Sequence, residues 1–112
     1  DALKFVKREA RRGSRYNGIM LDPPAYGHGT GGEKWKLDER LLEMLQECHK
    51  ILLPDDCFFI LNLYSNGFSS LVADTITCSV FGDIKDRESG ELFLQDRFGK
   101  RLSLSVFTRF KR

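Results

Sequence analysis

The sequence predicts an α/β fold with parallel strands, helices on both faces of the sheet and a terminal antiparallel hairpin. Three observations carry this. Residues 16–21 ("YNGIML") and 57–64 ("CFFILNLY") are apolar, β-prone runs too short for helices. Between them lies a long segment with apolar residues at three- and four-residue spacing, which makes a strand–helix–strand unit with a parallel crossover. At the C-terminus, "ELFLQD" and "RLSLSVFTRF" alternate around "RFGK", the pattern of an antiparallel hairpin.

Taken in order, Asp1 is placed to cap a helix through "ALKFVKREARR". Leu3, Phe5, Val6 and Ala10 form one side of it, and Gly13 supplies the left-handed stop. The strand 16–21 follows and ends at Asp22. Asp38 is the expected cap of the next helix, in which Leu37, Leu41, Leu42, Leu45, Cys48, Ile51 and Leu52 recur until Pro54. The strand 57–64 is nearly continuously apolar, as strands covered on both faces are. In residues 68–81 the β-branched content favours a strand, but Phe68, Leu71, Val72, Thr75, Ile76, Ser79 and Val80 fall on one helical stripe, so periodicity predicts a helix.

With 112 residues, 41% of them hydrophobic and 30% charged, the chain is expected to form one domain, or a piece of one, over 1–112. No apolar run approaches the roughly 20 residues of a membrane span, and a cytoplasmic protein is expected. Cys48, Cys57 and Cys78 show no CxxC spacing, and His28 and His49 complete no zinc pattern, so no metal site is expected. The net charge of +2 conceals two clusters: Lys4, Lys7, Arg8, Arg11, Arg12 and Arg15 near the N-terminus, and five cations without an acid in residues 100–112. Each is either a phosphate-binding surface or a solvated face.

Gly27, Gly29 and Gly32 satisfy G-x-G-x-x-G after a strand. In a dinucleotide site that turn joins strand and helix directly, so that the helix dipole meets the pyrophosphate. Here Pro23 and Pro24 precede the glycines and "EKWKL" delays the helix, which argues against it. A P-loop fails as well, because Glu33 stands before Lys34 where a glycine belongs. The stretch is either a plain loop or a mobile substrate loop.

Asp22 is the chief candidate. Ligands of open parallel sheets bind beyond the C-terminal strand ends, where Asp22 must lie. Pro23 and Pro24 fix the backbone and have no N–H, so the carbonyls of Asp22 and Pro23 can act as acceptors without competing donors. A carboxylate with converging carbonyls suits an amino group on a planar substrate, and Tyr26 can stack on its ring. The alternative is an Asp-Pro turn that only ends a strand.

"YNGIMLDPPAYG", the helix after it, "FILNLYSNGFS" and "GELFLQDRFGKRLSLSVFTRF" together resemble the C-terminal half of class I S-adenosylmethionine (SAM)-dependent methyltransferases. The likeness is greatest to the group that includes bacterial large-subunit ribosomal RNA methyltransferases. The resemblance implies a Rossmann-like fold, with the glycine-rich SAM loop expected before residue 1. It implies that Asp1 and Ala2 meet the SAM adenine, the Asp1 carboxylate near the exocyclic amine. It further implies that Asp22, Pro23, Pro24 and Tyr26 line the methyl-transfer site, with Asp22 also near the cofactor. Relatives that methylate cytosine C5 are expected to carry a cysteine after the strand matching 57–64. Tyr64 and Ser65 stand there, so direct displacement at sulfur is the expected chemistry. RNA is the expected substrate; an inactive nucleic-acid-binding or assembly module, or a methyltransferase for a small molecule or protein, stay open. The strand that would flank 16–21 in the parent fold is expected before residue 1, so in this fragment that edge is expected to be unpaired and to form a homodimer; a monomer whose edge is covered by the first helix or the "GHGTGG" loop stays open.

Overall fold

The computed structural model describes residues 1–29, 31–32, 34–64 and 67–112. The elements run α1 (Ala2–Arg12), β1 (Gly18–Leu21), β2 (Tyr26–His28), β3 (Lys34–Lys36), α2 (Leu37–Ile51), β4 (Phe58–Leu63), α3 (Ser70–Phe81), β5 (Arg87–Gln95) and β6 (Arg101–Lys111). The main sheet has the order β1-β4-β6-β5. β1 and β4 are parallel, in register from Gly18 opposite Phe58 to Leu21 opposite Leu61. β6 is antiparallel to both β4 and β5, so the parallel unit and the terminal hairpin share one sheet, as expected.

Helix ends follow local chemistry. The Asp1 carboxylate accepts from the Lys4 N–H at 3.2 Å, and Gly13 ends α1 at φ 73°. Ser69 caps α3, its side chain accepting from the Val72 N–H. Asp38 is not the cap of α2. The cap position is Lys36, extended and without a side-chain bond, because β3 hands the chain straight to the helix and the Leu37 N–H is satisfied by the Ala25 carbonyl at 3.1 Å. Asp38 sits instead in the first turn, where its charge still suits the helix dipole.

One face of the sheet holds the core. Phe59, Leu61 and Leu63 of β4 are buried with Phe110, and Phe59 packs between Phe81 of α3 (4.7 Å between ring centroids) and Phe110 (5.6 Å). The small buried residues Ala73 and Thr77 let α3 come close to the strands. The stripe expected to be buried on α3 is thus partly reversed: Leu71 is 72% exposed and Val72 exposed, and with Leu42 of α2 they line an open apolar hollow. Phe5 likewise lies outside the buried side of α1, beneath the Arg8 guanidinium, and Glu9 takes an inward place.

Helices were expected on both faces of the sheet; among the described residues they cover one. β4 alternates between buried and accessible residues. On the opposite face Phe58 and Ile60 border a hollow with Asp86, Glu88, Arg109 and Lys111, and Met20 of β1 is 75% exposed. A near-continuous apolar strand therefore does not by itself specify two covered faces.

Candidate active site

The strand order directs the site. β1 and β4 run parallel and end together, and the chain leaves them at Asp22 and Tyr64. The helices point their beginnings at the same edge. The Leu37 N–H at the start of α2 bonds Ala25, whereas its last residue, Ile51, accepts from Tyr16 ahead of β1. Lys7 of α1 pairs with Glu43 in mid-α2, and Glu9 accepts from the Tyr16 hydroxyl at 3.0 Å. The two helices therefore run side by side in one direction, which brings Asp1 and Ala2 to the edge where Asp22 stands. Both are exposed.

Within that segment Asp22 is exposed, Pro23 buried and Pro24 exposed, so the Pro-Pro step is anchored by its first ring. The glycine-rich stretch after it belongs to a β-hairpin, not to a plain loop, with Tyr26 opposite Lys36, Gly27 opposite Trp35 and His28 opposite Lys34. Thr30 and Glu33 lie outside the described residues. A Cβ at Gly27 would stand 3.7 Å from the Trp35 Cβ, an ordinary contact, so the pairing does not itself require glycine there. By the alternation of a strand pair, Tyr26, His28, Lys34 and Lys36 share one face and Trp35 the other. Trp35 packs against the core, so the Tyr26 face is the outward one, and Tyr26 is 76% exposed.

Trp35 does more than pack. Its indole N–H donates to the Pro24 carbonyl at 2.7 Å. With the Leu37 N–H on Ala25, two successive carbonyls of the segment are committed to the scaffold. The two before them, on Asp22 and Pro23, accept no hydrogen bond from a described residue. The result is a rigid turn with spare acceptors and a carboxylate at the strand tip, beside an exposed aromatic ring. Lys36 is paired to Glu39 at 3.2 Å, a bond that raises its pKa.

Sequence reasoning identified Asp22, Pro23, Pro24 and Tyr26 as one group, and they are contiguous at one strand end. It missed Trp35, Lys34 and the hairpin. The signal was available in the apolar–polar alternation of "KWK" and in tryptophan's single donor, which a partly buried ring must satisfy.

The cysteines stand apart from this edge. Cys48 is buried in α2, and burial pushes its thiol up to about 12. Cys57 is buried ahead of β4, at the end of that strand opposite to Asp22. The Cys78 thiol in α3 is raised, chiefly by burial. Neither Cys48 nor Cys78 has the lowered pKa of a thiolate nucleophile. The Ser65 position lies outside the described residues.

The sheet order, the parallel pair and the terminal hairpin define the Rossmann-like fold of SAM-dependent methyltransferases. The crystal structure of a SAM-dependent methyltransferase from Agrobacterium tumefaciens is similar to this chain over 99% of its length, with 36% identity and a TM-score of 0.90. The chain spans 38% of that structure's length. The structure of SMU.776 complexed with SAH matches 98% of the chain at 18% identity, with a TM-score of 0.71, and the chain covers 30% of it. The M1.HpyAVI–SAM complex matches 99% at 18% identity, with a TM-score of 0.54 and 52% of its own length covered. These last two support the fold alone. No protein-family model matches the chain, and no curated protein does.

Proposed function

We propose that the protein is a SAM-dependent methyltransferase acting on RNA, of the kind found among bacterial large-subunit ribosomal RNA methyltransferases, with its methyl-transfer site at Asp22-Pro23-Pro24 and Tyr26. One observation carries the reading: at the C-terminal edge of the sheet the carbonyls of Pro24 and Ala25 are used by the scaffold, whereas those of Asp22 and Pro23 and the Asp22 carboxylate accept from none of the described residues. The 36% identity to a SAM-dependent methyltransferase supports the methyl-transfer part of the reading.

The residues fit the cofactor. The Asp1 carboxylate gives one oxygen to the Lys4 N–H, which leaves the second for an adenine amine, with Ala2 beside it. Asp22 would face the same cofactor from the strand tip. When bound, SAM supplies an electrophilic methyl group on a sulfonium. The chain's own work is positioning. Acceptors at Asp22 and Pro23 orient a donor-bearing nucleophile, Tyr26 stacks on its ring, and the strap from Trp35 keeps the turn from yielding. Aligning reactants in this way can supply several kcal/mol of barrier reduction. The high thiol pKa of Cys48 and the remoteness of Cys57 favour direct displacement over a covalent enzyme–base intermediate.

Among the described residues no helix is long and apolar enough to cross a membrane, and a cytoplasmic site of action accords with an RNA substrate. Calorimetry of the full-length protein with SAM, together with crosslinking to RNA, tests the reading. Saturable SAM binding and an RNA crosslink are expected. RNA crosslinking without SAM binding would instead mark an inactive binding module, and SAM binding without RNA would point to a small-molecule or protein substrate.

A further inference from the structure

The terminal hairpin is longer than the sheet needs. β6 last pairs with β4 where Val106 meets Leu63, so its residues 101–105 run on past the C-terminal end of β4, as does β5 from Leu92 to Gln95. Five strand residues reach about 17 Å. The pairing directions fix the side: the overhang leaves the sheet at the edge that carries Asp22.

The tip has a specific chemistry. The Asp96 carboxylate accepts from the N–H groups of Phe98 and Lys100, and Gly99, at φ 83°, completes the turn. This turn holds out Phe98, 76% exposed, with the Arg97 guanidinium 5.0 Å from its ring centroid. Phe93, also exposed, carries the Arg101 guanidinium at 4.6 Å. Arg97, Lys100 and Arg101 form no ion pair among the described residues, unlike Arg87 and Arg109 lower in the hairpin, which are held by Asp74 and Glu88. The only carboxylate in residues 96–101 is Asp96, already engaged with the backbone.

We infer that this hairpin tip is an arm that grips single-stranded RNA next to the methyl-transfer edge, with Phe98 and Phe93 stacking on bases and Arg97, Lys100 and Arg101 meeting phosphates. The inference rests on the RNA reading above. Exposed rings are of use only to bases that are unstacked, and layered guanidinium and aromatic planes extend naturally into a base stack. Cations that form no ion pair with a described residue complement the backbone. The overhang places the grip in advance of Asp22, where a flanking nucleotide would pass.

The test uses the full-length protein, a labelled single-stranded RNA oligonucleotide of mixed sequence, anionic lipid vesicles and SAM. Phe98→Ala should weaken RNA binding by about 5- to 150-fold, the loss of one stacked base. The triple variant R97Q/K100Q/R101Q should reduce the salt dependence of log K by about 2, from three lost phosphate contacts on a single strand. Both should bind SAM as the parent does. RNA affinity and salt slope unchanged in both variants would overturn the arm while leaving RNA as the substrate. A parent that binds SAM but no RNA would overturn the RNA reading and the arm with it. Loss of vesicle binding in the variants, with RNA binding intact, would make the tip a membrane contact and refute the inference.

Discussion

Replacing Trp35 by Phe isolates the strap on the Pro-Pro turn. The substitution retains an aromatic body against the core and deletes the donor of the 2.7 Å bond to Pro24. A hydrogen bond of this kind contributes about 0.5–1.5 kcal/mol net. Pro24 is exposed, so its carbonyl can bond water instead, and a loss of about 1 kcal/mol is the fitting magnitude. A change of that size shifts the ratio of held to released turn by about fivefold. If the held turn is the productive one, kcat/KM for methyl transfer should fall by up to about fivefold, with SAM affinity unchanged. The assay pairs steady-state methylation kinetics with urea unfolding of the same variant. A stability loss of about 1 kcal/mol with unaltered kcat/KM would refute the reasoning, because the strap would then hold the fold and not the site.

Replacing Cys48, Cys57 or Cys78 singly by Ala should leave methyl transfer competent in whatever protein folds, and a covalent RNA adduct trapped on any of them would overturn direct displacement. Acid should destabilise the protein through Glu9 and Asp74. Hydrogen bonds from Ser14 and Tyr16, aided by Arg12 and Arg8, hold Glu9 low; burial would raise Asp74, but bonds from Ser89 and Arg87 outweigh it. Carboxyls with depressed folded pKa values contribute stability that is present above their unfolded values near 4 and lost as pH falls through the folded ones. The urea midpoint should drop below about pH 4, less steeply in Glu9→Gln; identical acid slopes would contradict this origin. Among the described residues β1 is an outer strand of the sheet, and we propose twofold pairing of its edge between two copies of chain 1–112. Light scattering over a concentration series should show dimer formation, and a strict monomer throughout would exclude it.

What was legible in the sequence was period and punctuation. α1 runs over the residues bounded by Asp1 and Gly13, and β1 and β4 lie within the apolar runs, because cap chemistry and strand runs are local. The buried face of α3 was not legible: its residues are apolar nearly all round, so Ala73 and Thr77 won the inner side by being small, a matter of how closely helix and sheet approach. Glu9 was read past because a buried carboxylate depends on partners brought from outside the helix, Ser14 and Tyr16. The β2–β3 pairing escaped for a similar reason, since three-residue strands carry too little alternation to outweigh a glycine-rich loop. Asp22 was legible because its position follows from chain direction alone.

Transfer of a labelled methyl group from SAM to RNA by the full-length protein, compared with Asp22→Ala, tests the central claim most directly. Asp22 is exposed and bonded to no described residue through its side chain, so the variant should fold as the parent does. If the carboxylate orients the nucleophile, kcat should fall by about 100-fold, the scale of a misplaced reactant, with SAM affinity nearly unchanged. Turnover retained at the parental rate would contradict the account and leave Asp22 as no more than the residue that ends a strand.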